Sequence, residues 1–389
     1  MQTLSKNNIF DYPKFKSQAE RFLTALVNEA AALSIPVREL TCDHLCFRVA
    51  TLDEYVQIKT SLQGFGTLLT EAIVNGRPIS TFRLNSPFQT ESHTVDLIEL
   101  PSPKPGTTYP TAFEHAEFII SECFEQFAAQ FPHLAFVPGG NPVLNPELCL
   151  KLTGKQIKFH HHPLDRIIEI EESKITDIIF DFDGTLVESR ETIYEINRIV
   201  FSMILERDVT LDEAIKNFHP EFSKLFMAFN VTCPIKKNQA LALWGNISDR
   251  FSYLLFNGVH DFLHRLKQAG FKLHLWTARD QQSAQRILKE QKIQNLFTTL
   301  SFATIVDSKP HGNSLVFNWR DASKNQYLVV GDSPSDIYGS KNTAALSAAA
   351  LWDPYAQKSA LVRAGAELFF HDLLELETWV MPRKPTGLN

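Results

Sequence analysis

From Tyr12 to Ser34 the apolar residues recur at helical spacing. Phe15, Ala19, Phe22, Leu23, Leu26 and Ala30 fall on one face, which predicts an amphipathic helix. The period then drops to two in His44-Leu-Cys-Phe-Arg-Val49, Ser80-Thr-Phe-Arg-Leu84 and Thr94-Val-Asp-Leu-Ile-Glu-Leu100, the alternation of half-buried strands. Pro101, Pro103, Pro105 and Gly106 mark a loop. A second round opens at His115-Ala-Glu-Phe-Ile-Ile120, passes through a helical stretch from Cys123 to Phe131, and returns to strands at Cys149 to Leu152 and Gln156 to Phe159. Strand, helix and several strands, given twice, predict two similar βαβββ modules and an α+β domain.

The pattern changes at the charged stretch Glu169-Ile-Glu-Glu-Ser-Lys174, where we place the domain boundary. The expected division is residues 1–172 and 173–389. Beyond it, strands alternate with helices, which predicts an α/β core with a parallel sheet and crossover helices. Ile175 to Phe180, Lys272 to Trp276 and Tyr327 to Val330 read as buried strands, and each ends in a polar cluster. Residues 188–256 are helical in pattern, broken at Pro220 and Pro234, and form an insertion between core segments 173–187 and 257–389.

At 389 residues and 44% hydrophobic composition the chain can bury two or three cores. A net charge of −6 gives no basic footprint, so nucleic acid is not an expected partner. The five cysteines, Cys42, Cys46, Cys123, Cys149 and Cys233, show no paired spacing and read as reduced thiols. No stretch reads as a signal peptide or a bilayer span, so the expected location is cytoplasmic, away from membranes.

Candidate chemistry is densest after the boundary. Asp181-Phe-Asp-Gly-Thr-Leu186 places two carboxylates two residues apart at the end of an apolar run, with Gly184 permitting a tight turn. The carboxyl end of a buried parallel strand is where open α/β sheets bind ligands. Thr277 ends the strand Lys272 to Trp276. Lys309 stands in Asp307-Ser-Lys-Pro310, and Gly331-Asp-Ser-Pro-Ser-Asp336 follows the strand Tyr327 to Val330. These four segments, in this order, resemble the haloacid dehalogenase (HAD) superfamily from about Ile175 to Leu376.

The resemblance implies a Rossmann-like core with a helical C1 cap, and phosphatase chemistry on a small phosphorylated metabolite. It implies that Asp181 attacks phosphorus and that Asp183 is general acid and base. Thr277 and Lys309 would hold the phosphoryl group, and Asp181, Asp183, Asp332 and Asp336 would bind Mg²⁺. Arg190, Arg279 and Lys224 are charged candidates for substrate contact.

In the first half, His44 and His115 head the two modules' opening strands. This resembles the vicinal oxygen chelate superfamily, glyoxalases included. Asn75-Gly-Arg-Pro-Ile79, Ile98-Glu-Leu-Pro101 and Ile157-Lys-Phe-His160 resemble the YecM-like family over roughly Phe10 to Ile170. The resemblance implies a second metal site at His44, Glu99, His115 and His160, suited to Zn, Fe, Mn or Ni. Histidine stands where the superfamily usually has glutamate. Satisfied core histidines, and an exposed His160-His-His162 run, are the competing explanation. Three alternatives to a phosphatase with an appended domain stay open. They are a bifunctional protein with an N-terminal metal-dependent isomerase, lyase or oxygenase, a phosphomutase, and a non-catalytic binding protein. The sequence leaves the oligomeric state unknown.

Overall fold

The computed structural model describes residues 10–219, 222–303, 309, 326–343 and 345–385. The chain divides into two compact units between Glu171 and Glu172. Pro220, Asp307, Pro310 and residues 1–9 lie outside the described residues.

The first unit opens with α1 (Tyr12–Ala32), whose N-cap Asp11 accepts from the Lys14 amide and whose first turn carries Pro13. Its buried residues, among them Phe15, Ala19, Leu23, Leu26 and Ala30, form the face read from periodicity. Next come β1 (Thr41–Arg48), α2 (Leu52–Leu62), β2 (Gly66–Val74), β3 (Arg77–Gln89) and β4 (Thr94–Pro101). The second round is β5 (Ala112–Ile119), α3 (Phe124–Ala129), β6 (Phe136–Asn141), β7 (Asn145–Leu152) and β8 (Lys155–His160), closed by α4 (Leu164–Glu171). All eight strands form one mixed sheet in the order β2-β3-β4-β1-β5-β8-β7-β6.

Two four-stranded halves thus meet along the antiparallel pair β1 and β5, where Leu45 faces Ala116. A two-fold placed at that pair carries His44 onto His115 and Cys46 onto Glu117. Glu99 pairs with Cys46 from β4, and Lys158 pairs with Glu117 from β8, so Lys158 is the positional counterpart of Glu99. One face of the sheet packs Leu45, Phe47, Ile98, Phe118, Ile157 and Phe159 against α1 in an apolar core. The alternate positions put His44, His115, Glu117 and Lys158 on the other face.

The second unit begins with β9 (Asp177–Phe180). The helices α5 (Arg190–Leu205), α6 (Leu211–Lys216), α7 (Phe222–Ala228) and α8 (Pro234–Ser248) follow, with Pro234 as the first residue of α8. The chain continues through α9 (Val259–Gln268), β10 (Lys272–Trp276), α10 (Gln281–Glu290), β11 (Thr299–Ser301), β12 (Tyr327–Gly331) and α11 (Pro334–Asn342). It ends with β13 (Leu346–Ala350), α12 (Lys358–Ala364), β14 (Leu368–Phe370) and α13 (Leu373–Val380). The sheet order is β11-β10-β9-β12-β13-β14, and every pair is parallel. β9 sits centrally, fully buried, so its carboxyl end opens onto the middle of the sheet's edge. Among the described residues, no helix is long and apolar enough to cross a membrane.

Candidate functional site

Asp181 leaves the end of β9 with its amide bonded to the Val330 carbonyl of β12, which fixes the carboxylate above the sheet. The chain then curls back: the Gly184 amide donates to Val187 O and the Val187 amide to Phe182 O. Glu188 N bonds Leu254 O and Phe256 N bonds Leu186 O, so the strands leading into and out of the helical insertion lie side by side. Gly184 has φ +80°, and a Cβ there would strike the carboxylates of Asp332 and Asp353. Only a residue without a side chain lets the turn approach those groups.

Five of the expected residues gather at this edge with Asp181. Lys309 Nζ donates to Asp181 Oδ1 at 2.6 Å and to Asp336 Oδ1 at 2.5 Å, and lies 5.1 Å over the Trp276 ring. Asp336 also caps α11, its Oδ2 accepting from the amide and hydroxyl of Ser333 at 3.1 and 2.8 Å. Thr277 is buried, and its Oγ1 accepts from the Arg279 amide at 3.0 Å, which leaves the hydroxyl proton to donate elsewhere. Asp332 is buried and pairs with Arg190 Nη2. Asp183 accepts from Arg279 Nε and Nη2 at 2.9 and 2.5 Å in a bidentate fork.

The charges are strongly coupled to burial. Desolvation, then repulsion from Asp336 and Asp332, pushes the Asp181 carboxyl well above its usual range, against the pull of Lys309. Burial and Asp336 likewise raise Asp332 against Arg190. Burial works to raise Asp183 too, but the Arg279 guanidinium outweighs it and holds that carboxyl below the usual range. Asp181, Asp332 and Asp336 present oxygens within 4.8 Å of one another, a set of hard donors of the kind Mg²⁺ takes.

Arg190 and Arg279, read as substrate-contact candidates, are both committed to carboxylates, while Lys224 is exposed on α7. Asp353, buried beside Gly184 and raised to about 6 by burial and the Asp332 charge, was missed by the sequence reading. Its signal is the same as for the others: a carboxylate just past a parallel strand, here β13.

Residues 178–350 match the family described as haloacid dehalogenase-like hydrolase. The second unit is a haloacid dehalogenase-like hydrolase domain. This hydrolase domain makes the chain an enzyme. It is 24% identical over 186 residues to the pyrophosphatase PpaX of Listeria monocytogenes serotype 4b, covering 46% of this chain and 84% of that protein. A solved structure titled a predicted phosphatase from Clostridium acetobutylicum is 19% identical, with a TM-score of 0.49, over 54% of this chain and 100% of its own. Residues 11–136 match the YecM protein family. Protein YecM of Escherichia coli K12 is 28% identical over 176 residues, covering 40% of this chain and 92% of its own length.

In the YecM domain the expected ligands do not close on one point. His44, Glu99 and His115 form one group, and His44 forms a second with Asp43 and His160. Glu117, which the sequence reading passed over, lies at the centre of the face. Its Oε1 is 3.4 Å from His44 Nε2, 3.0 Å from His115 Nε2 and 2.8 Å from Lys158 Nζ. Burial works to raise Glu117, but Lys158 and His44 outweigh it and hold it well below the usual carboxylate range. Asp43 Oδ2 accepts from His44 Nδ1 at 2.8 Å, which turns Nε2 toward Glu117. Nothing in the pattern singled out Glu117 or Lys158, because a lone charge in a strand usually faces solvent.

Proposed function

We propose that the hydrolase domain is a Mg²⁺-dependent phosphomonoesterase that works through an aspartyl-phosphate on Asp181. The observation that carries this is the convergence of Asp181, Lys309, Asp332, Asp336, Thr277 and Asp183 on one sheet edge from four separate chain segments. Asp181 attacks phosphorus, forming an acyl phosphate and splitting one hard displacement into two easier ones. Lys309 neutralises the nucleophile before attack and the phosphoryl oxygens after it. The Thr277 hydroxyl donates to a phosphoryl oxygen. Asp183 transfers protons to the departing alcohol and then from water. Paired with Arg279 it is a carboxylate, the base form, so its acid role requires Arg279 to release it.

The donor set fits a divalent ion: three buried carboxylates close together gain from a cation, Asp181 and Asp332 being raised by burial and by neighbouring carboxylates, and Gly184 keeps the approach clear. Held by Asp181, Asp332, the carbonyl of Asp183 and, directly or through water, Asp336, Mg²⁺ would stabilise negative charge on the phosphoryl oxygens. The test is phosphate release from an aryl phosphate with and without Mg²⁺. Activity is expected to require the ion and to fall about 10³-fold or more in Asp181→Asn. A variant that keeps full activity would remove Asp181 as the nucleophile. Isomerised ester in place of free phosphate would make the enzyme a mutase.

A second reading concerns the YecM domain, which we infer holds a transition-metal ion between His44, Glu99 and His115 with Glu117 alongside. Both ring nitrogens of His115 are buried and make no hydrogen bond, although Nε2 lies 3.0 Å from Glu117 Oε1. Two acceptor-rich groups that close without a hydrogen bond point at a common third partner. Elemental analysis of the full chain, loaded and then dialysed, is expected to find one zinc, iron, manganese or nickel ion that His115→Ala loses while phosphatase turnover is retained. A metal-free full chain after loading with each ion would reduce the cluster to an ion-pair network.

A further inference from the structure

The hydrolase domain has a half-open cavity of about 590 Å³ that runs from the carboxylate cluster to the helical insertion. Its floor holds the charged groups: Lys309 against Asp181 and Asp336, Arg190 against Asp332, and Arg279 against Asp183. Its far half has a different character. Phe218, Phe222, Leu225, Leu241 and Trp244 supply the walls there. Phe222 and Leu241 remain 36% and 41% exposed, apolar surface that the described residues leave partly uncovered. Trp244 is held in place by its Nε1–H bond to Asn197 Oδ1 at 2.9 Å, and Phe222 meets the indole edge-on at 5.5 Å. A fixed aromatic corner facing a cavity is a binding surface whose ordering entropy is already met.

Among the described lining residues the far half offers no cation beyond the imidazole of His219, and Asp249 stands there as a carboxylate. Each arginine and lysine is already matched on the floor. A second anionic group on the substrate would sit among aromatic rings without countercharge, which is costly in a poorly solvated site. The volume is that of a site for a drug-sized molecule rather than for two linked phosphates.

We propose that the substrate is a monophosphate ester of a bulky, uncharged, ring-bearing alcohol, its phosphoryl group on the carboxylate floor and its ring against Trp244 and Phe222. This rests on the phosphatase reading above and adds the class of leaving group. It sets this chain apart from PpaX, whose name gives pyrophosphate as substrate.

The experiment compares kcat/KM, with Mg²⁺, for phenyl phosphate, 2-naphthyl phosphate, inorganic pyrophosphate and 2-phosphoglycolate. The two aryl esters have leaving groups of similar acidity and differ in apolar area. Burying the second ring is expected to favour 2-naphthyl phosphate about tenfold. Both aryl esters should exceed the two compounds that carry a second anion. In Phe222→Ser, at a half-exposed position that folding tolerates, and in Trp244→Ala, the naphthyl-to-phenyl ratio should fall to about twofold or less. A wild-type ratio near one, a ratio unchanged in both variants, or a preference for pyrophosphate or 2-phosphoglycolate overturns the proposal while leaving an Asp181-dependent phosphatase in place. No Asp181-dependent turnover of any of the four removes the phosphatase reading itself, and this inference with it.

Discussion

Gly184 shows how much one position can decide. Its φ of +80° is strained for any L-residue, and an added Cβ would meet the Asp332 and Asp353 carboxylates. Gly184→Ala is expected to cost about 1–3 kcal/mol of stability. It should also displace Asp332, which we propose holds the metal. A Mg²⁺ titration of turnover should show kcat/KM down about tenfold or more, with a higher Mg²⁺ requirement; wild-type behaviour in the alanine variant would mean the turn has room to relax. At this scale the sequence is readable where a residue's neighbours in the chain disclose its place. Asp181, Thr277, Asp332 and Asp336 each follow an apolar strand. The partners of those residues were not readable, because Arg279 reaches Asp183 across 96 positions and Arg190 reaches Asp332 across 142. An arginine beside a helix start looks the same whether it faces water or a buried carboxylate.

Elements were legible in proportion to their periodicity. The apolar stripe of α1 and the runs of β9, β10 and β12 announced themselves. β13 did not, since Leu346-Ser-Ala-Ala-Ala350 is made of small residues that favour helix in isolation, and only burial between β12 and β14 makes it a strand. β6 contains Pro138, Gly139 and Gly140, which read as a turn; it survives as a strand because it lies at the sheet's edge, where missing donors are tolerated. Between β9 and β10 a cross-strand pair brings a testable electrostatic consequence. His274 Nε2 and Asp177 Oδ1 lie 2.8 Å apart in the interior. Burial works to raise Asp177, but the bonds from His274 and Thr176 outweigh it and depress its carboxyl. A depressed acid stabilises the fold above its unfolded value, near 4, and that contribution is lost as pH falls through the folded value. Urea melts of wild type and Asp177→Asn should therefore differ by a constant amount above about pH 5, with the gap closing as pH drops below about 4. A gap that stays the same down to acid unfolding would assign the pair no role in pH-dependent stability.

For the molecule as a whole, the change of pattern near Glu169–Lys174 separated a sheet with alternating strands from one with continuous apolar runs. The reason is physical: a sheet covered by helices on one face needs only every second residue apolar, whereas one buried on both faces needs nearly all. What the pattern could not disclose was which charges of the first unit lie inside. His44 and His115 stood out by resemblance, but Glu117 and Lys158 on the same face of β5 and β8 read as ordinary surface until the register brings them beside those histidines.

That register has a consequence of its own. Two identical halves meeting across a dyad must repeat every residue, so a glutamate on one side of the seam would face a glutamate on the other. One continuous chain is released from that obligation. Glu99 and Lys158 occupy matching places in the two halves and carry opposite charge. The seam therefore differs from one side to the other: Lys158 stands between Glu117 and Glu147 on one side, at 2.8 and 3.0 Å, while the matching place on the other side holds the Glu99 carboxyl, a handed arrangement of charge. Handedness of that sort is open only to halves that share a backbone plan without sharing a sequence.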